Sequence, residues 1–140
     1  MGKMLTPAAA KKARVLLADD HAALLAQSAN LLMAEFDIVG FSANGLELTK
    51  AVRRLDPDAV VLDISMPGLD GIEAARRLQA AGCRAKLVFL TVHEDADYLS
   101  AALEAGATGY VVKTRLALDL LPAVHEALAG KRFISPTLLK

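Results

Sequence analysis

An α/β domain whose parallel sheet is covered on both faces is predicted by three features of the 140-residue sequence. Short, almost continuous apolar runs recur along the chain. Stretches of about a dozen residues with apolar positions three and four apart separate them. Capping residues and glycines punctuate the joins. The first run is Val15-Leu16-Leu17-Ala18, followed by a helix over residues 22–34 that contains no charged residue. A weaker run, Phe36-Asp37-Ile38-Val39, precedes a second helix that Asn44 can cap and whose inner face is Leu48, Ala51, Val52 and Leu55. Ala59-Val60-Val61-Leu62 is the third strand. Asp70 with Glu73 three residues on then forms a capping-box pattern for the third helix. Leu87-Val88-Phe89-Leu90 leads to a fourth helix with Leu99, Ala102 and Leu103 on one face, and Tyr110-Val111-Val112 is the fifth strand. Gly82, Gly106 and Gly130 stand where helices should stop. Pro122 fits the last helix if that helix starts near Asp119, which puts the proline in the first turn. Five strands and five helices result, in a domain over 14–130 between a flexible extension at 1–13 and a linker stub at 131–140.

Composition excludes several classes of function. Sixteen basic residues balance 16 acidic ones, so the formal net charge is zero, whereas nucleic-acid binders need a basic excess. A hydrophobic fraction of 54% excludes a disordered chain. No apolar run approaches the ~20 residues of a membrane span. Residues 1–13 lack the apolar segment of a secretory signal. Cys83 is the only cysteine, which points to a reducing, cytoplasmic setting.

The informative polar residues follow the apolar runs. Asp19 and Asp20 end the first, Asp63 the third, Thr91 the fourth and Lys113 the fifth. In an open parallel sheet these positions converge on one rim, where ligands bind beyond the strand ends. Three carboxylates and one ammonium give that rim a local charge of −2 if all are ionised. A bound cation relieves such repulsion, and an oxygen-only donor set suits Mg²⁺. A carboxylate can attack phosphorus to give an aspartyl phosphate, with metal and cationic groups holding the phosphoryl oxygens. Asp63 is the nucleophile candidate because it stands alone, while Asp19 and Asp20 form a pair suited to metal. Thr91 and Lys113 would hold the phosphoryl group.

In order and spacing, VLLADDH, VVLDISMPGLDG, LVFLTVHED and GATGYVVK resemble the receiver domain of two-component response regulators, over roughly residues 14–130. The resemblance implies a flavodoxin-like three-layer sandwich with strand order 2-1-3-4-5. It also implies that Asp63 is the phosphoacceptor and that Asp19, Asp20, Asp63 and the backbone carbonyl of Ser65 hold Mg²⁺. Lys113 pairs with the phosphoryl group, Thr91 reorients toward it, and Tyr110 turns inward as Thr91 moves. Such a protein is not an enzyme in the ordinary sense, since it catalyses only its own phosphorylation and dephosphorylation. Its phosphoryl donor is a sensor histidine kinase or a small acyl phosphate.

DDH, the LDISMPGLDG loop and RFISPTLL lean toward the NarL/FixJ type. In that type a LuxR-type helix-turn-helix commonly follows, so transcription is the expected output, DNA is reached only through such a domain, and a homodimer can form. Thr114 stands where many receivers have a proline in a cis peptide, and Val92 is bulkier than the small residue common after the threonine. His21 caps the first helix, packs locally or tunes the acidic pair, His93 either affects phosphate hydrolysis or is simply exposed, and His125 belongs on a helix surface. The uncharged first helix is either a partner surface or merely alanine-rich. Two alternatives stand beside the receiver: a stand-alone receiver with a protein target, and a haloacid-dehalogenase-type phosphatase. The phosphatase needs a second Asp two residues after its nucleophile, whereas His21 and Ser65 occupy those places here.

Overall fold

The structure, a computed structural model, describes residues 11–138. Most of the expected N-terminal extension and the last two residues of the expected stub lie outside the described residues. In chain order the elements are β1 (Arg14–Ala18), α1 (Ala22–Leu32), β2 (Asp37–Ser42), α2 (Gly45–Leu55), β3 (Ala59–Leu62) and α3 (Gly71–Ala80). Then come β4 (Lys86–Thr91), α4 (Ala96–Glu104), β5 (Gly109–Val112), α5 (Leu116–Leu128) and β6 (Phe133–Ile134). All neighbouring strands are parallel, in the order β2-β1-β3-β4-β5-β6. The fold is therefore the flavodoxin-like sandwich expected, with one strand more.

Period-two alternation divides the core between the two faces of the sheet. Leu16, Val60, Leu62, Phe89, Tyr110 and Val112 join the inner faces of α2, α3 and α4. Val15, Leu17, Val61, Val88, Leu90 and Val111 face the opposite way and pack with α1 and α5. Both predicted caps form: Asn44 Oδ1 accepts from the Glu47 N–H at 2.9 Å and Asp70 Oδ1 from the Glu73 N–H at 2.9 Å. The outer face of α1 (Ala22, Ala23, Ala26, Gln27 and Asn30) is exposed.

Two sequence expectations need correction, and one interaction explains both. The last helix begins at Leu116 rather than near Asp119, so Pro122 lies inside it. The proline is tolerated because it and Leu118, whose carbonyl loses its partner, both face solvent. Beyond Gly130, Phe133–Ile134 add a sixth strand to an expected five, held by Phe133 N–H to Thr108 O and Ser135 N–H to Tyr110 O, each 2.9 Å. Two residues are too few to show periodicity in a sequence. What secures them is Ser135, wholly buried, whose hydroxyl donates to Asp119 Oδ2 at 2.7 Å and accepts from the Val112 N–H at 3.1 Å. Arg115 completes the network, its Nε 2.7 Å from Asp119 Oδ2. Asp119 is thus a buried ion-pair partner, and an early helix start is what brings Arg115 and Asp119 one turn apart.

Burial alone would raise the Asp119 carboxyl, but hydrogen bonds from Arg115 and Ser135 outweigh it and hold it below the usual carboxylate range. A depressed native pKa adds stability that is present above the unfolded pKa and lost as pH falls through the native one. Asp119→Asn should therefore cost about 1–3 kcal/mol at neutral pH. In urea unfolding, the gap between wild type and variant should narrow below about pH 4.

Candidate functional site

Asp63 directly follows β3, its N–H still bonded to Ala18 O on β1 at 3.0 Å, so the ladder itself delivers its side chain to the rim. Its Oδ1 accepts from the Ile64 N–H at 2.7 Å, leaving Oδ2 directed at Lys113. The chain must then turn sharply under α3. A Cβ on Gly71 would lie 1.9 Å from the Asp63 carbonyl oxygen, so only glycine allows the start of α3 to approach this closely. The Gly71 N–H closes the turn on Ile64 O at 2.7 Å.

Lys113, at the end of β5, places Nζ 2.9 Å from Asp19 Oδ2 and 3.0 Å from Asp63 Oδ2. Asp19 and Asp63 are both buried, at 4% and 2% exposure, so each charge depends on this ammonium for compensation. Burial pulls the Lys113 ammonium down, yet the hydrogen bonds to Asp19 and Asp63 prevail and hold its pKa above the ordinary lysine value. Asp20, beside Asp19, is exposed. One oxygen from each of Asp19, Asp20 and Asp63, together with a ring nitrogen of His21, lie within 4.8 Å of one another.

The opposite wall is the loop after β4. Thr91 is fully buried, and its Oγ1 accepts from the His93 N–H at 3.3 Å. Tyr110, also fully buried, donates its hydroxyl to the His93 carbonyl at 2.7 Å. Burial, with Asp95 and Tyr98 next, pushes the Tyr110 hydroxyl above its ordinary range, so it remains a donor at every physiological pH. The His93 ring stacks on Tyr98 with centroids 4.0 Å apart, and Nε2 is 2.7 Å from Ser65 Oγ. Val92 points into solvent at 63% exposure.

Every residue that the sequence placed on the rim is there: Asp19, Asp20, Asp63, Thr91 and Lys113 meet at the ends of four strands, with Ser65 and Tyr110 beside them. His21 takes the N-cap position of α1 without a side-chain cap bond, and its Nδ1 lies 3.0 Å from Asp19 Oδ1 and 3.1 Å from Asp20 Oδ1. Of its expected roles the structure shows contact with the acidic pair. His93 has a part that the sequence does not reveal, because its backbone, not its ring, ties Thr91 to Tyr110. His125 is a surface residue paired with Glu35 at 2.7 Å. Every peptide bond among the described residues is trans, including Lys113–Thr114.

The donor set fits a hard divalent ion. Three carboxylates on one side of a single ammonium leave an excess of negative charge, and their oxygens are close enough to share one ion.

The sequence model of the response regulator receiver domain matches residues 15–125. A Bacillus subtilis (strain 168) transcriptional regulatory protein, YvfU, is 36% identical over 89% of this chain and 64% of its own length. The nitrate/nitrite response regulator protein NarL of Escherichia coli K12 is 35% identical over 90% of this chain and 59% of its own length. Among solved structures, a LuxR-family two-component response regulator from Aurantimonas sp. SI85-9A1 superimposes with a TM-score of 0.87. It is 33% identical and the match covers 92% of this chain and 94% of that one. The chain thus spans about three fifths of the length of these curated relatives.

Lys113 fills with its own charge the space that a metal cation would share, so removing it should tighten divalent binding. Lys113→Ala should raise Mg²⁺ affinity by about three- to tenfold in calorimetric titration, since one positive charge is lost at a few ångströms. The same variant should unfold more readily without metal, because Asp19 and Asp63 lose their shared partner.

Proposed function

The chain belongs to the response regulator receiver domain family, and on that footing we propose that Asp63 is its phosphoacceptor and Lys113, Thr91 and Tyr110 its switching apparatus. The observation that carries this reading is the position of Lys113 Nζ, within 3.0 Å of both Asp19 and Asp63 at the convergence of four strands. An Asp63 carboxylate oxygen forms a bond to phosphorus as the bond from phosphorus to the donor's leaving group breaks. That donor is the phosphohistidine of a sensor kinase, or an acyl phosphate.

Asp19, Asp20, Asp63 and the Ser65 carbonyl would hold Mg²⁺, which when bound offsets charge on the phosphoryl oxygens. The rest is the work of this chain. Lys113 already touches Asp63 Oδ2, so a modest movement lets its ammonium donate to a phosphoryl oxygen instead. Thr91 is buried at the same rim and its hydroxyl proton can donate to the same group. Because Thr91 Oγ1 accepts from the His93 N–H and Tyr110 donates to the His93 carbonyl, movement of Thr91 reaches the ring of Tyr110 through a single residue. A phosphoryl group adds about −1.5 to −2 charge and thereby biases a two-state surface.

The output belongs to the part of the relatives that this chain does not span. By analogy with them it is transcription, through a C-terminal DNA-binding domain, in the cytoplasm and with a possible homodimer. A stand-alone receiver acting on a protein target is the second reading of the output alone. The phosphatase reading is set aside: the family match supports the receiver, and Ser65 cannot replace the carboxylic acid such an enzyme places two residues after its nucleophile.

Asp63→Asn should abolish labelling by acetyl phosphate with Mg²⁺, and the wild-type label should be released by hydroxylamine, as an acyl phosphate is. Thr91→Ala should keep the label within about tenfold, since it removes one hydrogen bond. That variant should lose the beryllofluoride-induced changes in the amide spectrum around Tyr110. Persistence of those changes would remove Thr91 from the switch.

A further inference from the structure

Lys113 is held from both directions along the chain. Before it, the ladder between β5 and β6 runs out at Tyr110 and Ile134, and the Val112 N–H donates instead to Ser135 Oγ at 3.1 Å. After it comes the 3₁₀ turn Lys113–Arg115, which ends in a bidentate pair. Arg115 Nε lies 2.7 Å from Asp119 Oδ2, and Nη2 lies 3.2 Å from Oδ1. Ser135 joins the two anchors, because its hydroxyl donates to Asp119 Oδ2 at 2.7 Å. The backbone of Lys113 thus sits inside a closed circuit of Val112, Ser135, Asp119 and Arg115. Two cations two residues apart are drawn opposite ways, Lys113 toward Asp19 and Asp63 and Arg115 back onto α5. Asp119 and Ser135 are buried, at 4% and 0% exposure, so water is poorly placed to replace either one. A lysine ammonium on its flexible four-carbon stem is aimed only as well as its backbone is fixed.

We propose that Asp119 and Ser135 are positioning residues for Lys113, and that docking of residues 133–135 on β5 is thereby coupled to phosphorylation of Asp63. The inference rests on the phosphoacceptor reading of Asp63 given above. Coupling between two sites is reciprocal. A docked segment keeps the ammonium where it can meet a phosphoryl oxygen, and an ammonium engaged by that oxygen holds the segment more firmly in return. The pocket thereby has a route to the segment after α5 that does not depend on movement of Thr91.

The test uses the whole chain, with acetyl phosphate and then beryllofluoride, each with Mg²⁺, as the probes. Ser135→Ala should take the label about threefold or more slowly than wild type at saturating acetyl phosphate. In a Lys113→Ala background the same change should slow labelling no further. Equal slowing in both backgrounds makes Ser135 merely structural and overturns the proposal, as does a folded Ser135→Ala that labels at the wild-type rate. Amide exchange decides the matter even if Ser135→Ala fails to fold or Lys113→Ala takes no label. In wild type, beryllofluoride should slow exchange of the Val112 and Ser135 N–H groups by about threefold or more. It should leave both unchanged in Lys113→Ala. Unchanged exchange in a wild type that does take the label overturns the coupling and leaves the phosphoacceptor reading standing. If wild type takes no label, the phosphoacceptor reading fails together with this inference.

Discussion

Two buried carboxylates sharing one ammonium is the constraint on which the rest of this molecule depends. Asp19 and Asp63 are buried together at the rim, and Lys113 brings a cation within hydrogen-bond reach of both from β5, two strands from Asp63. The pairing fixes much else. It rests on a register in which β1 and β3 end level with each other, Ala18 beside Leu62, while β5 runs on two residues past the level of Leu62 and so carries Lys113 out over the rim. It also requires the turn after Asp63 to stay tight, which is why Gly71 admits no side chain.

Lys113 opens the 3₁₀ turn Lys113–Arg115, and the end of that turn is anchored by the Arg115–Asp119 pair. Asp119 in turn receives the Ser135 hydroxyl, and Ser135 binds β5 at Val112. Lys113, which pairs with both buried carboxylates, thus lies one short turn from a network that fastens the C-terminal segment to the sheet. Any shift of Lys113 toward a phosphoryl group is applied at one end of this turn. Its other end, Arg115, is held by the buried, hydrogen-bonded carboxylate of Asp119.

The rim was legible in the sequence because it depends on strand endings, and apolar runs mark strand endings clearly. Asp19, Asp63, Thr91 and Lys113 each follow four apolar residues or nearly so, and a parallel sheet leaves them only one place to meet. Capping was equally legible at Asn44 and Asp70, since it is set within four residues. What was not legible depends on partners distant in sequence. The two residues of β6 have no pattern of their own and are held by Ser135 to Asp119, 16 positions away. Asp119 also pairs with Arg115 one turn before it, which goes with a start of α5 earlier than Pro122 alone suggests. His93 was hidden for a different reason: its role is carried by its N–H and carbonyl, which nearly every residue possesses and no motif records.

That use of backbone also bounds what the switch can do. His93 is tied at its N–H to Thr91, at its carbonyl to Tyr110 and at its ring to Ser65 and Tyr98. The N–H contact is the longest of the three hydrogen bonds at 3.3 Å, against 2.7 Å for the other two. If Thr91 turns toward a phosphoryl group as proposed, the longest tie is the one released, and the Tyr110 hydroxyl can keep its acceptor. A net hydrogen bond is worth about 0.5–1.5 kcal/mol, so releasing this one costs little against the charge-assisted bonds that Thr91 and Lys113 would gain. Tyr110 lies inward, its ring fully buried and its hydroxyl on the His93 carbonyl. In the proposed switch the added charge would therefore act by rearranging the contacts of Thr91 and Lys113 around a tyrosine that keeps its place, and would bias the surface through them.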